Sequence, residues 1–265
     1  MPENSAKAPD GDLDLLRSAA REAGRIAAGY FGKDPTVWLK NGSSPVSEAD
    51  YAADKYLRET LTAARPDYGW LSEETLDGPT RQDARYLFVV DPIDGTRGFL
   101  EGSPKWCVCV AVVEGGRSLA GVLDCPATGE HFYAARGEGA WESGRRISVA
   151  NPSDAIRLGG PEAFFDHLPA DLRERVRRQP HVPSLAYRLA LIASGKLDAT
   201  FIKPNAHDWD LAAASIVLEE AGGKVVRSDE TSPAYGQGSG VHGALAAGSG
   251  TLLAVLAAAI GKHVR

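Results

Sequence analysis

Four runs of β-branched and aromatic residues, at 86–90, 106–113, 118–125 and 131–135, follow one another closely along the chain. Gly115-Gly116 and Pro126-Ala127-Thr128-Gly129 punctuate the later runs, so they are expected to pair as antiparallel hairpins. Upstream, residues 12–30 place Leu13, Leu15, Leu16, Ala19, Ala23, Ile26 and Ala27 largely on one helical face, closed by Gly32. Ser47 is a good N-cap for a second helix running to about residue 64. The segment PDYGWLSEET reads as a short strand leading to acids. After ISVANPSD the pattern changes to alternating helix and strand. Helices are expected at 161–166, 171–178, 185–194, 209–221 and 250–261, and strands at 156–159, 197–202, 223–226 and 243–247. The reading is therefore a tail over 1–11, an α+β half with an antiparallel sheet over 12–150, and an α/β half over 151–265.

With 265 residues, 43% of them hydrophobic, the chain can bury a sizeable core. A net charge of −6 argues against a sequence-independent nucleic-acid binder. It leaves room for a small anionic substrate where metal ions or a local basic patch offset the acids. Cys107, Cys109 and Cys125 form no C-x-x-C pair and sit in apolar runs, as reduced core thiols of a cytosolic protein would. The N-terminus has no apolar signal region, and no run is long enough to span a membrane. A cytoplasmic location is the expectation.

The run at 86–90 ends in the hexamer DPIDGT. Pro92 holds Asp91 extended, and Gly95 permits a turn that swings Asp94 toward the same point. Two carboxylates brought together repel unless one is protonated or a cation lies between them. Oxygen ligands of this kind suit Mg²⁺. Near the C-terminal half, residues 209–221 are apolar at helical spacing and Gly222-Gly223 stops them. Asp208 and Asp210 lie at that helix's start, where negative charge is favoured. Asp208 reads most simply as the N-cap, His207 as a capping or pocket-wall residue, and Trp106 as core.

DPIDGT resembles the signature of the inositol monophosphatase superfamily of metal-dependent phosphomonoesterases. WLSEET, SEADYAADKYL and WDLAAASIVLEEAGG resemble three further family segments, in the family's order. The resemblance runs from about residue 12 to the C-terminus. It implies a layered αβαβα sandwich with the metals where the two halves meet. It implies that Glu73, Asp91 and the Ile93 carbonyl hold one Mg²⁺, and that Asp91, Asp94 and Asp210 hold a second. Glu73 is also implied in a third site. Thr96, oriented by Asp50, would position the attacking water for in-line displacement, and the Gly95 and Thr96 amides would face the phosphate. Lys40 aligns with a family lysine near the site. Where the family often has an acid before the proline of the preceding loop, this chain has Ser44-Pro45-Val46-Ser47.

The implied substrate is a small phosphorylated metabolite. Inositol phosphatases carry sugar-binding acids in the helix of SLAYRLALIASG and before the Trp-Asp pair; here those places hold Arg188 and Lys203. This is similar to the 3′(2′),5′-bisphosphate nucleotidases, the CysQ-like branch. A guanidinium grips a second phosphate bidentately. The reading is removal of the 3′-phosphate of adenosine 3′,5′-bisphosphate to leave AMP, clearing a by-product of sulfate assimilation. Arg97 is read as a phosphate contact or a solvated helix-start residue. Phosphatase activity toward inositol 1-phosphate, histidinol phosphate or fructose 1,6-bisphosphate is the alternative. A non-catalytic partnership with the transcription machinery, as some family members have, is a further one. A homodimer is expected from the family.

Overall fold

The structure, a computed structural model, describes residues 7–40, 42, 44–75, 84–151 and 154–263. The first expected helix forms as α1 (Asp12–Ala28), with Leu16, Ala19, Ala20 and Ala23 buried along one stripe. A small antiparallel hairpin follows, β1 (Val37–Lys40) with β2 (Ser44–Ser47). Ser47 then opens α2 (Glu48–Ala64). The Asp50 carboxylate accepts from the Ser47 amide at 2.8 Å and from its hydroxyl at 2.6 Å. That fixes the helix start and already commits one oxygen of a candidate catalytic acid.

A seven-stranded sheet comes next, its strands in chain order. They are β3 (Gly69–Ser72), β4 (Tyr86–Asp94), β5 (Cys107–Glu114), β6 (Arg117–Cys125), β7 (Glu130–Ala135), β8 (Ala140–Glu142) and β9 (Arg145–Ile147). The β3–β4 pair is parallel and the pairings from β4 onward are antiparallel. A short helix, α3 (Thr96–Leu100), leaves the end of β4. The second half holds β10 (Ile156–Gly159), a 3₁₀ turn at Glu162–His167, α4 (Ala170–Arg175), β11 (Val176–Arg178), α5 (Leu185–Ala193) and β12 (Ala199–Ile202). It ends with β13 (Ala206–His207), α6 (Asp208–Glu220), β14 (Lys224–Val226), β15 (Val241–His242), β16 (Leu245–Gly248) and α7 (Gly250–His263). Five of these strands make a second sheet in the order β11-β10-β12-β16-β14.

Side-chain alternation along the strands sorts the core into layers. Phe88, Val90, Val108, Val110 and Val112 face α1 and α2. Leu87, Val89, Cys107, Cys109, Ala111 and Val113 face the other way, onto α5 and α6. The far side of those helices meets Ile202, Val225, Leu245 and Ala247 of the second sheet. The outer face of that sheet, with Leu158, Phe201 and Ala246, is covered by α7 and the 3₁₀ turn. The order is helix, sheet, helix, sheet, helix, the αβαβα sandwich that the resemblance implied. α6 has no solvated face over its middle, Leu211 to Leu218, because a sheet lies on each side. Gly121 on β6 lets it approach: a Cβ there would sit 2.6 Å from the Ala213 carbonyl oxygen and 2.5 Å from Ile216 Cγ2.

Two expected helices are corrected. The segment 171–178 is helical only to Arg175; Val176–Arg178 turn into β11, which pairs in parallel with β10 and takes up its edge hydrogen bonds. Sheet pairing overrides the local helical pattern there. The segment near 161–166 is 3₁₀ rather than α, following Pro161. Residues 1–6 of the expected tail lie outside the described residues. Of the rest, Ala8 packs against the α1 side of the core, and the Asp10 carbonyl accepts from Arg65 at 3.2 Å. Trp106 is fully buried, packed with Phe99 and Phe31.

Candidate active site

β4 runs apolar for five residues and then delivers Asp91 and Asp94 at its end. The register with β5 shifts between these two acids, a bulge that turns both toward one side. Gly95, at φ +95°, makes the turn into α3, and a Cβ there would press on Ser184 at 3.1 Å. From the second half, α6 brings Asp210 to the same place. Ligand atoms of Asp91, Asp94 and Asp210 lie within 4.8 Å of one another. Each of these acids is oriented by a hydrogen bond. Asp91 accepts from the Ile93 amide at 3.0 Å, and Asp210 from the His207 amide at 2.7 Å. Asp94 accepts from the Ser184 hydroxyl and, at 2.6 Å, from the Ala186 amide at the start of α5.

Three carboxylates so close and so buried resist ionisation. Burial, then Glu73, Asp94 and Asp210, hold Asp91 well above the usual carboxylate range. Burial and neighbouring Cys107 and Asp210 do the same to Asp94. Burial pushes Asp210 up to about 7, against the pull of the His207 amide. An all-oxygen cluster of carboxylates this close together is the donor set that a hard divalent cation satisfies. The residues fit Mg²⁺.

Glu73 follows β3 and lines the same cleft; its carboxylate pairs with Lys40 Nζ at 2.8 Å. Lys40, on the β1–β2 hairpin, also reaches Glu74 at 2.6 Å. Burial pushes Lys40 down, but the two glutamates more than reverse it and hold it protonated. Thr96 Oγ1 lies 3.1 Å from the free oxygen of Asp50 and 3.0 Å from the Ile93 carbonyl. Burial raises Asp50 above the ordinary range despite its bonds to Ser47 and Thr96.

The cleft, about 630 Å³, is lined by Glu73, Asp91, Ile93, Asp94, Gly95, Thr96 and Asp210 on its floor. Arg97, His181, Arg188 and Lys203 line it too. Of the metal, catalytic and substrate residues expected from the sequence, Glu73, Asp91, Ile93, Asp94, Gly95, Thr96, Arg188, Lys203 and Asp210 thus border this cavity; Asp50 reaches it through Thr96 and Lys40 through Glu73. Arg188 Nε is buried without a hydrogen-bond partner, and burial opposes its charge while Asp94 supports it.

Asp208 is not the N-cap. It is the first residue of α6, and His207 stands at the cap position. The buried Asp208 carboxylate takes His242 Nε2 at 2.8 Å and the Gly236 amide at 2.7 Å, tying the loop before β15 to the start of α6. His207 stacks on Trp209, with centroids 4.3 Å apart. Sequence reading missed Ser184, Glu74 and His181. Ser184 carries a local signal, since its hydroxyl accepts from the Tyr187 amide as an N-cap should. Its bond to Asp94, ninety residues earlier, carries none.

The sequence model described as "Inositol monophosphatase family" matches residues 12–265. An inositol-1-monophosphatase of Mesorhizobium japonicum is 34% identical over 245 residues, covering 87% of this chain and 91% of that protein. A histidinol-phosphatase of Mycobacterium tuberculosis is 34% identical over 240 residues, 85% and 90% of the two chains. The solved structure of an IMPase from Thermotoga maritima superposes with a TM-score of 0.82 at 26% identity, covering 96% of this chain and 98% of that one. Relatives named Nus factor SuhB and 3′(2′),5′-bisphosphate nucleotidase CysQ match at 34% and 30% identity.

Proposed function

This chain belongs to the inositol monophosphatase family of metal-dependent phosphatases, and from that premise we propose that its substrate is a bisphosphate, adenosine 3′,5′-bisphosphate in particular, from which it removes the 3′-phosphate. One observation carries the choice of ester. Among the described residues lining the cleft, every acid belongs to the cradle of Glu73, Asp91, Asp94 and Asp210, while every other titratable side chain is basic: Arg97, His181, Arg188 and Lys203. A wall of that sign suits a ligand with a second anionic group. It offers no acid to a neutral polyol and opposes the ammonium group of histidinol phosphate.

Asp91, Asp94, Asp210 and Glu73, with the Ile93 carbonyl, would hold two or three Mg²⁺. When bound, these ions neutralise phosphate oxygens, favour a water nucleophile near neutral pH and stabilise the leaving oxygen. The protein's own groups then orient the reactants. Asp50, pinned by Ser47, holds Thr96 Oγ1 so that it can fix a water for in-line attack. Ser184 and the Ala186 amide keep Asp94 aimed at the cleft. Gly95 and Thr96 border the cleft, where their amides would face the transferred phosphate. Arg188 and Lys203 grip the second phosphate.

The test is phosphate release with Mg²⁺ from adenosine 3′,5′-bisphosphate, inositol 1-phosphate, histidinol phosphate and fructose 1,6-bisphosphate, measured side by side. The nucleotide should show the highest kcat/KM. A preference for inositol 1-phosphate or histidinol phosphate would leave the metal chemistry standing and overturn the substrate.

A further inference from the structure

The strand that pairs with the metal cradle carries thiols. In the β4–β5 register Asp91 stands opposite Cys109, and Asp94 opposite Cys107. Cys107 and Cys109, two residues apart, point to the same face of β5, the one beneath the cleft. Their sulfurs lie 3.5 Å apart. Cys107 Sγ is also 3.4 Å from Ser184 Oγ, the hydroxyl that bonds Asp94. Cys125 on β6 interacts with Cys107 as well. None of the three is in a disulfide. Phosphate-ester hydrolysis as derived above gives these thiols no task.

The arrangement has the dimensions of a soft-metal site. One carboxylate oxygen of Asp94 and the sulfurs of Cys107 and Cys109 fall within 4.8 Å of one another. Two sulfurs bound at ~2.3 Å to a tetrahedral ion stand roughly 3.8 Å apart, close to the separation already present. Thiolate donors select d¹⁰ ions such as Zn²⁺ over Mg²⁺, which takes oxygen. Asp94 borders the cleft while Cys107 and Cys109 are fully buried behind it, so Asp94 is the member of the cluster that faces the substrate side.

We propose that Asp94, Cys107 and Cys109 form an inhibitory site for a thiophilic divalent cation of the Zn²⁺ class, set directly under the Mg²⁺ cradle. Asp94 is the shared ligand. Occupation of the thiol site turns its carboxylate from the cleft toward β5, and Mg²⁺-dependent turnover stops. The inhibition rests on the reading of Asp94 as a Mg²⁺ ligand; binding to the thiols does not.

The experiment has a spectroscopic arm and a kinetic arm. The metal-free full chain is titrated with Cd²⁺, and the thiolate-to-cadmium charge-transfer absorption is followed in the ultraviolet. Wild type should show a band saturating at one ion per chain. Cys107→Ser/Cys109→Ser should lose it, and Cys125→Ser, the control for the folding of a thiol-depleted core, should keep it. In the kinetic arm, Zn²⁺ is added to the Mg²⁺-loaded enzyme. The double variant should turn over as wild type does and need at least ~10-fold more Zn²⁺ for half inhibition, a difference of 1.4 kcal/mol. Absence of the band in wild type overturns the site, and so does an undiminished band or unchanged Zn²⁺ sensitivity in a folded double variant. If the double variant does not fold, Cys109→Ser alone, judged against Cys125→Ser, decides by the same criteria. A normal band with Asp94→Asn enzyme that still turns over with Mg²⁺ would instead overturn the cradle assignment and, with it, the inhibition.

Discussion

Arg188→Met separates recognition from folding. The guanidinium sits on α5 at the cleft wall with Nε buried and unpartnered. Burial opposes its charge, and the support from Asp94 offsets only part of that. A group held this way does little for the free enzyme. Methionine keeps the apolar stem and removes the unpaired charge, so stability should change by less than about 0.5 kcal/mol or rise. With a second phosphate present the account reverses. A hydrogen bond to an ionised partner contributes about 1.5–3 kcal/mol. At 1.4 kcal/mol per factor of ten, that is roughly a 10- to 100-fold fall in kcat/KM for adenosine 3′,5′-bisphosphate. A monophosphate such as inositol 1-phosphate should lose less than about threefold, since only the bond to the second phosphate is removed. The assay is phosphate release on both esters, beside urea unfolding of both proteins. Equal losses on the two substrates would refute the assignment of Arg188 to a second phosphate. A large loss of stability would refute the claim that its charge is unsupported.

Asp94→Asn should reduce Mg²⁺-dependent turnover by about 10³-fold or more while far-ultraviolet circular dichroism stays unchanged; retained activity would remove Asp94 from the cradle. The thermal stabilisation that Mg²⁺ gives wild type should shrink in the same variant. Asp210 titrates near 7 in the folded chain and near ~3.9 unfolded, so between those values the native state holds a proton that the unfolded chain releases. Metal-free protein should therefore lose stability as pH rises from about 4 to 7. Asp210→Asn should show a shallower fall in melting temperature between pH 5 and 8 in chelator, and identical slopes would contradict the origin assigned to that shift. Gly121→Val should destabilise by about 3 kcal/mol, because its side chain would run into Ala213 and Ile216 of α6; urea unfolding checks it, and a change under 1 kcal/mol would mean the helix yields freely.

The floor of the site was legible because its chemistry is compressed into short segments. A strand that ends in Asp-Pro-Ile-Asp-Gly-Thr, and a helix that starts with an acid and stays apolar all round, each carry their reason locally. The layers were legible for a related reason: period-two and period-3.6 patterns identify which element each segment becomes. The links across the fold were not. Lys40 meets Glu73 and Glu74 although β2, α2 and β3 lie between them in the chain, and Ser184 meets Asp94 although β5 to β9 do. Nothing within a few residues of either partner encodes the meeting. Asp208 misled for the opposite reason. Its place beside a helix start suggested a local cap, while its carboxylate went to His242 and Gly236 instead. Val176–Arg178 misled because β10 offered an edge that the local pattern does not show.

The sharing of α6 by two sheets has a bearing on synthesis. The seven-stranded sheet is complete at Ile147, but the face that carries Leu87, Val89, Ala111 and Leu123 is covered by α5 and α6, which end at Ala193 and Glu220. As the chain leaves the ribosome N-terminus first, that face stays open for some seventy residues of elongation. At ~5–20 residues per second the exposure lasts several seconds. Through that interval a sticky sheet waits for its cover, and a chaperone that shields apolar surface on nascent chains has its natural opening there. Asp210, the residue proposed to complete the metal cradle, arrives with the helix that covers that face. The outer face of the second sheet waits longer, for α7 at the end of the chain.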